Sequence, residues 1–392
     1  MQRILFVITM LLCILVLVPG NAFADLENDE SLYSAFDLTE LNTESIQNFI
    51  DGLDEEVKSV VPALNFKEMI FLLATGELDL SVNDILNLVL SQFFKDVVAN
   101  MSLMGKLVIL AVICALLQNL SAAFERATTG KLTYSVVYLA LITIAVSSFT
   151  MVLSTGSGAI DSMVGFLQLL MPLILTFLVG VGAVASTAIF HPVIFMAVSV
   201  TGTIVKNIVF PLIFFAAILS IISNLSEKFQ VSSLAGLFKT VAMGFMGLLT
   251  TVFLGVLSIK GVAAAVADGV VIRTAKFATR SFVPVVGGMF SDALESVVST
   301  SLLIKNALGL GGVIMIFFLA LIPLLEILAV AFVYKLAGAL IQPIGDPRLV
   351  DCLNTLGNSL LLVFAAVGTT CLLFFFAVAI TVGIGDLTVM LR

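Results

Sequence analysis

The residues of this chain most able to do chemistry are acidic side chains set in long apolar or half-polar stretches. Glu326 lies inside the apolar segment 321–343, and Asp292 and Glu295 lie three residues apart in the half-polar segment 282–306. An ionised carboxylate in hydrocarbon costs at least about 2.5 kcal/mol, so it should face a polar interior, another subunit or a water path, or be protonated. These three residues are therefore candidates for an intramembrane polar lining or a subunit contact.

A structural alternative stays open for each of these residues. Asp292 and Glu295 share one helix face if the segment 282–306 crosses the membrane, and otherwise they lie in a surface loop. Glu326 is either a functional group or a buried structural carboxylate. Lys335 is nine positions further along and on the opposite side of the same helix, so it is not the natural partner of Glu326.

No motif in the sequence supports catalysis or cofactor binding. His191, the one histidine, is interpreted as a boundary residue before Pro192, and a single histidine excludes an H-E-x-x-H zinc site. The glycine cluster 309–312 lacks the Lys-Ser/Thr ending of a phosphate-binding loop, and no G-x-S-x-G element is present. We therefore predict no enzyme, no metal, no cofactor and, without a basic aromatic surface, no nucleic-acid partner.

Composition indicates a polytopic membrane protein. The chain has 392 residues, of which 60% are hydrophobic and only 11% are charged, so a water-soluble globule could not bury its apolar surface. The net charge of -8 is unevenly distributed. Residues 25–100 hold sixteen Asp/Glu against three Lys, whereas residues 106–392 hold fourteen Lys/Arg against ten Asp/Glu. An acidic head is thus joined to a mildly basic, lipid-embedded body.

The first 24 residues have the order of a secretory signal. Arg3 precedes the apolar run 4–18, and Ala22 and Ala24 form the small-x-small cleavage pattern. We predict removal of residues 1–24, with an uncleaved first transmembrane helix as the alternative. In either case the next segment begins outside the cytoplasm.

The acidic region 25–102 is predicted to be helical and extracytoplasmic. Apolar residues recur at three- and four-residue steps over 46–60, and further helices are expected at 66–74 and from about 82 to 97. A region of this size folds alone only marginally, so its apolar faces should rest on the membrane body or on another protein.

Seven segments have the apolar length of about twenty residues that crosses a bilayer. They are 103–124, 132–153, 163–186, 207–223, 240–259, 310–334 and 358–383. Hydropathy leaves two segments ambiguous, because 192–206 is apolar but short and 282–306 is long but half polar.

A shift of 151 residues superposes Pro172 on Pro323 and Pro192 on Pro343, which indicates an internal repeat. Under this repeat 192–206 matches a polar linker, whereas 282–306 matches a clear span and crosses. The sequence therefore predicts an all-α polytopic membrane protein with about eight transmembrane helices in two parallel four-helix repeats, 103–238 and 239–392. The repeat-related linker is marked by Pro192, Pro343, Gly345, Asp346 and Arg348.

The basic residues give the orientation. Eight crossings with the head outside place nine Lys/Arg residues on the cytoplasmic side, in accord with the positive-inside tendency. Near the membrane, the basic residues left outside are then Lys228, Lys239, Lys305 and Arg392.

Two segments, 71–120 and 339–368, resemble the stage III sporulation protein AE family of endospore-forming Firmicutes, and the resemblance extends over the whole chain. Its motifs are the Gly-Glu-Leu-Asp turn at 76–79 and the Gln-Pro-Ile-Gly element at 342–345 followed by Cys352-Leu353. The resemblance implies a multi-pass component of the mother-cell membrane around the forespore. It would belong to the channel or secretion complex that links the two cells during engulfment.

The same resemblance implies partners: other membrane subunits, including ring-forming single-span proteins, and a cytoplasmic ATPase. An ATPase partner agrees with the absence of a nucleotide motif in this sequence. Two other functions stay open, a self-contained secondary transporter for a small solute and a passive membrane scaffold.

Overall fold

The computed structural model describes residues 43–53, 66–75, 82–123, 127–225, 231–282, 287–343 and 347–390. The predicted signal, with Ala22 and Ala24, lies outside the described residues, as do Gly345 and Asp346. The helices in chain order are α1 (Glu44–Asp51), α2 (Phe66–Thr75), α3 (Val82–Ala99), α4 (Met101–Ala123), α5 (Ala127–Gly180), α6 (Val184–Ile204), a π-helix (Val205–Val209), α7 (Phe210–Leu225), α8 (Ser232–Phe282), α9 (Gly287–Ile341) and α10 (Pro347–Met390).

The described residues confirm an all-helical chain with long apolar helices. Five helical stretches are long and apolar enough to cross a membrane: Val136–Gly180, Val184–Asn224, Ser232–Val270, Val297–Ile341 and Pro347–Met390. The pair α3–α4 supplies a sixth candidate if its two helices, bent by 42°, are counted as one span.

The eight separate crossings are not confirmed, because predicted crossings share single helices. The segment 132–153 and most of 163–186 lie on α5, and the segments 282–306 and 310–334 lie almost entirely on α9. The intervening residues 154–162 contain Gly and Ser but no Pro, and Ala159 and Ile160 among them are buried. Glycine costs a helix only about 1 kcal/mol, which packing of this kind offsets.

The two predicted repeats are not confirmed either, and the prediction of a linker at Pro192 is wrong. Pro192 lies inside α6 and not in a linker, whereas Pro343 follows the end of α9 in the turn before α10. Arg348 is the second residue of α10. The helix bounds therefore do not follow the 151-residue shift. A proline inside a membrane helix is tolerated when neighbouring helices compensate for the lost hydrogen bond.

The long helices pack as antiparallel neighbours around α9. Along α5, Leu170 lies at the level of Gly312, and Ala145 accepts a 2.7 Å hydrogen bond from the buried Tyr334 hydroxyl. Along α10, the nitrogen Nζ of Lys335 donates to Oδ1 of Asn358 at 2.8 Å, and the Lys305–Asp386 pair lies towards the other end. α9 thus contacts α5 and α10 over most of its length.

Three glycines near the middle of α9 allow three different neighbours to approach. A Cβ atom at Gly309 would collide with Val382 of α10, one at Gly312 with Leu170 of α5, and one at Gly311 with Ile70 of α2. Small residues at helix crossings let backbones come close in membrane proteins. The glycine cluster 309–312 is therefore a packing surface.

Part of the acidic head packs on the membrane body. Phe49 of α1 and Phe66 of α2 each pack against Phe166 of α5 with ring centroids 6.2 Å apart. On α3, Phe93 packs against Phe332 of α9 with centroids 6.0 Å apart. The apolar faces of the head were expected to rest on the membrane body or on another protein. For these helices, the structure shows contact with the membrane body.

We expect Gly312→Leu to destabilise the bundle, because the added side chain overlaps Leu170 in a packed interior. The cost of such overpacking is about 1–3 kcal/mol. Gly158→Leu is the matched control, since Gly158 lies on the exposed side of α5 with open space around it. Thermal unfolding of the purified protein in detergent measures both. Equal melting temperatures for the two variants would contradict the packing role of Gly312.

Candidate functional site

A fully buried lysine joins α9 to α10. The ammonium of Lys305 lies 2.9 Å from Oδ1 of Asp386 and donates a 2.7 Å hydrogen bond to the carbonyl oxygen of Val382. The Lys305 side chain is 0% exposed, whereas that of Asp386 is 42% exposed. The positive charge is therefore desolvated and depends on its partners, while the carboxylate keeps contact with the surroundings of the protein.

Two small residues make room for this pair. A Cβ atom at Gly385 would collide with the Lys305 ammonium, and one at Gly180 would collide with the side chain of Ser301, one turn before Lys305. The end of α5 thus contacts α9 one turn before Lys305. The structure buries the Lys305 side chain inside the bundle, and the extracytoplasmic side predicted for this residue stays a prediction.

The turn between α5 and α6 is fixed by backbone hydrogen bonds. The amide of Ala183 donates to the carbonyl of Leu178 at 3.0 Å, and that of Gly182 donates to Val179 at 2.8 Å. This is the Schellman pattern, in which the residue after the last turn takes a left-handed conformation. Gly182 supplies it with φ 93°, which only glycine adopts without strain.

A carboxylate from α8 caps the next helix. The residue before α6 is Ala183, whose side chain cannot accept a hydrogen bond. Asp268 replaces the missing cap, since its two oxygens accept from the amides of Ala185 at 2.8 Å and Ser186 at 2.9 Å. Asp268 is only 2% exposed, and its negative charge faces the positive end of the α6 dipole.

Together these groups form one polar end cluster, which we define as Asp268, Ser301, Lys305 and Asp386 around the α5–α6 turn. It ties the end of α5 and the start of α6 to α8, α9 and α10. Its hydrogen bonds are all between helices, so a shift of any one helix by a turn would leave charged groups desolvated and unpaired.

Glu326 lies between α9 and α5, away from the polar end cluster. Its Oε1 accepts a hydrogen bond of 3.3 Å from the Thr155 hydroxyl, and its side chain is half-buried. Glu326 follows Lys305 by 21 positions, a helical rise of about 32 Å. The two polar levels on α9 are thus separated by about the thickness of a bilayer core.

A third polar level connects α5 to the α6–α7 region. Asp161 pairs with Lys206 of the π-helix, and the side chain of Asp161 is largely exposed. Two turns further along α5, Nε2 of Gln168 donates to Oγ of Ser199 at 3.1 Å. The turn that carries Lys206 is a π-helix, which holds one residue more than an α-helical turn. Such turns are frequent at functional sites.

The predicted site residues do not converge in the described part of the chain. Asp292 and Glu295 belong to α9, but their side chains lie outside the described residues, so their predicted lining or contact role stays a prediction. Glu326 contacts Thr155, and Lys335 contacts Asn358 instead of Glu326.

Sequence reasoning missed Asp268, Lys305 and Asp386 as a group. The sequence did hold an indication of this group. Each of the three is a charged residue close to an apolar helical segment, and a charged side chain in such a place needs a partner. The partners could not be paired from sequence, since Lys305 and Asp386 are 81 positions apart.

The polar end cluster holds helices together and shows no arrangement for catalysis or metal binding among the described residues. Among the described residues, no group of three or more His, Cys, Asp or Glu side chains could hold a metal ion. The polar end cluster holds no nucleophile hydrogen-bonded to a base, and its carboxylates are occupied by an ammonium and two backbone amides. What it does chemically is neutralise charge between helices.

We expect Asp386→Leu to cost much more stability than Lys305→Met. Asp386→Leu leaves the fully buried ammonium without its counter-charge, a loss of about 3–5 kcal/mol. Lys305→Met removes the buried charge itself and leaves a carboxylate that is already half exposed. The free energy of unfolding, measured by denaturant titration in detergent, should show this asymmetry. The double variant should recover most of the loss, and equal losses in the two single variants would contradict the desolvated ammonium.

Comparison with known proteins places the chain. The family model described as "Stage III sporulation protein AE (spore_III_AE)" matches residues 64–385. Stage III sporulation protein AE of Bacillus subtilis (strain 168) is 37% identical over 380 residues, which cover 96% of this chain and 95% of that protein. No solved structure matches the chain. The match over most of its length shows that this chain belongs to the stage III sporulation protein AE family.

Proposed function

We propose that this protein is an integral membrane subunit of the channel or secretion complex between mother cell and forespore. The observation that carries the proposal is the family relationship over nearly the whole chain, which implies a role in sporulation. The five long apolar helical stretches support a location in the cell membrane. In this proposal the protein is made in the mother cell, its signal is removed, and its acidic N-terminal region lies outside the cytoplasm, between the two membranes.

The proposed partners are other membrane subunits, among them ring-forming single-span proteins, and a cytoplasmic ATPase. The sequence carries no nucleotide-binding motif of its own, so work on a cargo would need energy from such a partner. No catalytic role is assigned to this chain. The polar end cluster and the Glu326–Thr155 contact would hold the subunit in one shape within the complex.

We expect deletion of the gene in its own host to block forespore development. A copy transcribed only in the mother cell should restore heat-resistant spores, because the protein is proposed to act in the mother-cell membrane. The matched control is the same gene transcribed only in the forespore, which should fail. Counting heat-resistant spores measures both. Rescue from the forespore alone would contradict the proposed location.

A secondary transporter is the second candidate, because Glu326 is an acidic group half-buried among membrane helices. A transporter that uses this charge should lose function in Glu326→Gln. A channel subunit or scaffold does not need the negative charge itself, and glutamine can still accept the hydrogen bond from Thr155.

We therefore expect Glu326→Gln to support nearly normal spore formation at a normal protein level. Glu68→Gln is the control, since Glu68 is exposed on α2 and carries the same chemical change. Spore counts are compared with immunoblots of membrane fractions. A large loss of spores in Glu326→Gln alone, with the protein present, would favour the transporter.

A further inference from the structure

One face of α8 carries a heptad repeat that nothing in the described part of this chain covers fully. The a positions are Phe238, Phe245, Val252, Ile259 and Val266. The d positions are Leu234, Val241, Leu248, Gly255 and Val262. These ten residues, which we call the α8 seam, alternate at steps of three and four over 33 residues of one helix. Apolar a and d positions sustained over several heptads are typical of a helix that pairs with another helix.

The α8 seam points away from the protein's own core. Seven of its ten residues are exposed, with Ile259 at 72% and Leu248 at 62%, and the other three are half-buried. The opposite side of α8 packs inward through buried residues, among them Leu257 and Ala264. The two faces of α8 are therefore both apolar, but only one is covered within the chain.

Lipid alone cannot cover the α8 seam. A helix of 33 residues rises about 50 Å, while the hydrocarbon core is about 30 Å thick. To place all of the seam in hydrocarbon, α8 would have to tilt by more than about 50°, beyond the range of about 0–40° seen for membrane helices. The length of the α8 seam therefore calls for a protein partner over the part that leaves the hydrocarbon.

We infer that the α8 seam is the contact between two copies of this chain, packed in parallel about a two-fold axis along the membrane normal. Knobs-into-holes packing requires the same heptad period on both helices, and a second α8 has it by identity. Copies in one membrane share one orientation, so their α8 helices run parallel. Val252, Ile259 and Val266 at a, with leucine at two d positions, are the choices that favour two strands in a parallel coiled coil.

The geometry of the α8 seam fits a dimer contact. Gly255 takes a central d position, and a Cβ atom there would meet open space, so a second helix can approach closely. A strip about 50 Å long and about 10 Å wide gives about 500 Å² on each partner. The sum of about 1,000 Å² reaches the lower size of a specific interface.

Cysteine cross-linking in native membranes tests this dimer without any sporulation partner. The probes are Leu248→Cys and Ile259→Cys, made in the full chain and co-expressed as two differently tagged copies in cells that do not sporulate. The cysteines described in the structure, Cys114, Cys352 and Cys371, are buried, and the unsubstituted chain reports any background from them. Under mild oxidation we expect each probe to give a disulfide-linked product that carries both tags.

The matched control is Lys260→Cys, one residue from Ile259 and also exposed, but outside the α8 seam. Its cross-linking yield should be several-fold lower than that of Ile259→Cys. Elution of the reduced variants like the unsubstituted protein checks that they fold.

Three outcomes would overturn the inference: equal yields at Ile259→Cys and Lys260→Cys, a product that contains one tag and a different protein, or no product at either seam position in folded variants. The inference does not rest on the proposed function. A failure here would leave the mother-cell role intact, and a failure of the spore assay would leave the dimer intact.

Discussion

The enclosure of α9 by its neighbours is the constraint on which the rest of the structure depends. Three glycines of α9 lack the side chains that would keep its neighbours away. As a result, α10, α2 and α5 approach the α9 backbone within one turn of helix, at Gly309, Gly311 and Gly312 respectively. A helix held on three sides cannot slide without separating contacts on all of them. Because α9 also carries Lys305 and Glu326, its position decides which neighbouring groups those charges meet.

The charged groups then fix the register of the helices. Lys305 with Asp386, Asp161 with Lys206, and Asp268 with the start of α6 each join two elements distant in sequence. For the buried Lys305 and Asp268, pairing contributes little net stability, since desolvation offsets much of the attraction, but a mismatched register leaves the charge without a partner at a cost of several kcal/mol. The more exposed Asp161–Lys206 pair contributes less. A one-turn slip moves a side chain by about 5.4 Å, enough to break each contact. Apolar contacts alone would favour the observed register over a register shifted by one turn less strongly than these charged contacts do.

The sequence predicted the helical class, the membrane character and several individual helices, because apolar periodicity and composition are local properties. α2, expected over 66–74, is observed over 66–75, and α3, expected from about 82 to 97, ends at Ala99. Hydropathy did not predict that α5 continues through the Gly- and Ser-containing residues 154–162. Whether such a stretch breaks a helix depends on packing around Ala159 and Ile160 by residues far along the chain. The partners of Lys305 and Asp268 were unpredictable for the same reason.

Several apolar helices of this protein are longer than the hydrocarbon core of a membrane is thick. The apolar stretches Val136–Gly180 and Val297–Ile341 each have 45 residues, a rise of about 68 Å, roughly twice the hydrocarbon thickness. The apolar residues that α5 and α8 still expose along such lengths need protein cover wherever the helices leave the lipid. In the dimer inferred above, a second copy of the chain supplies that cover along α8. The exposed residues on α8, spaced for another helix, therefore favour a protein that works as an assembly of chains.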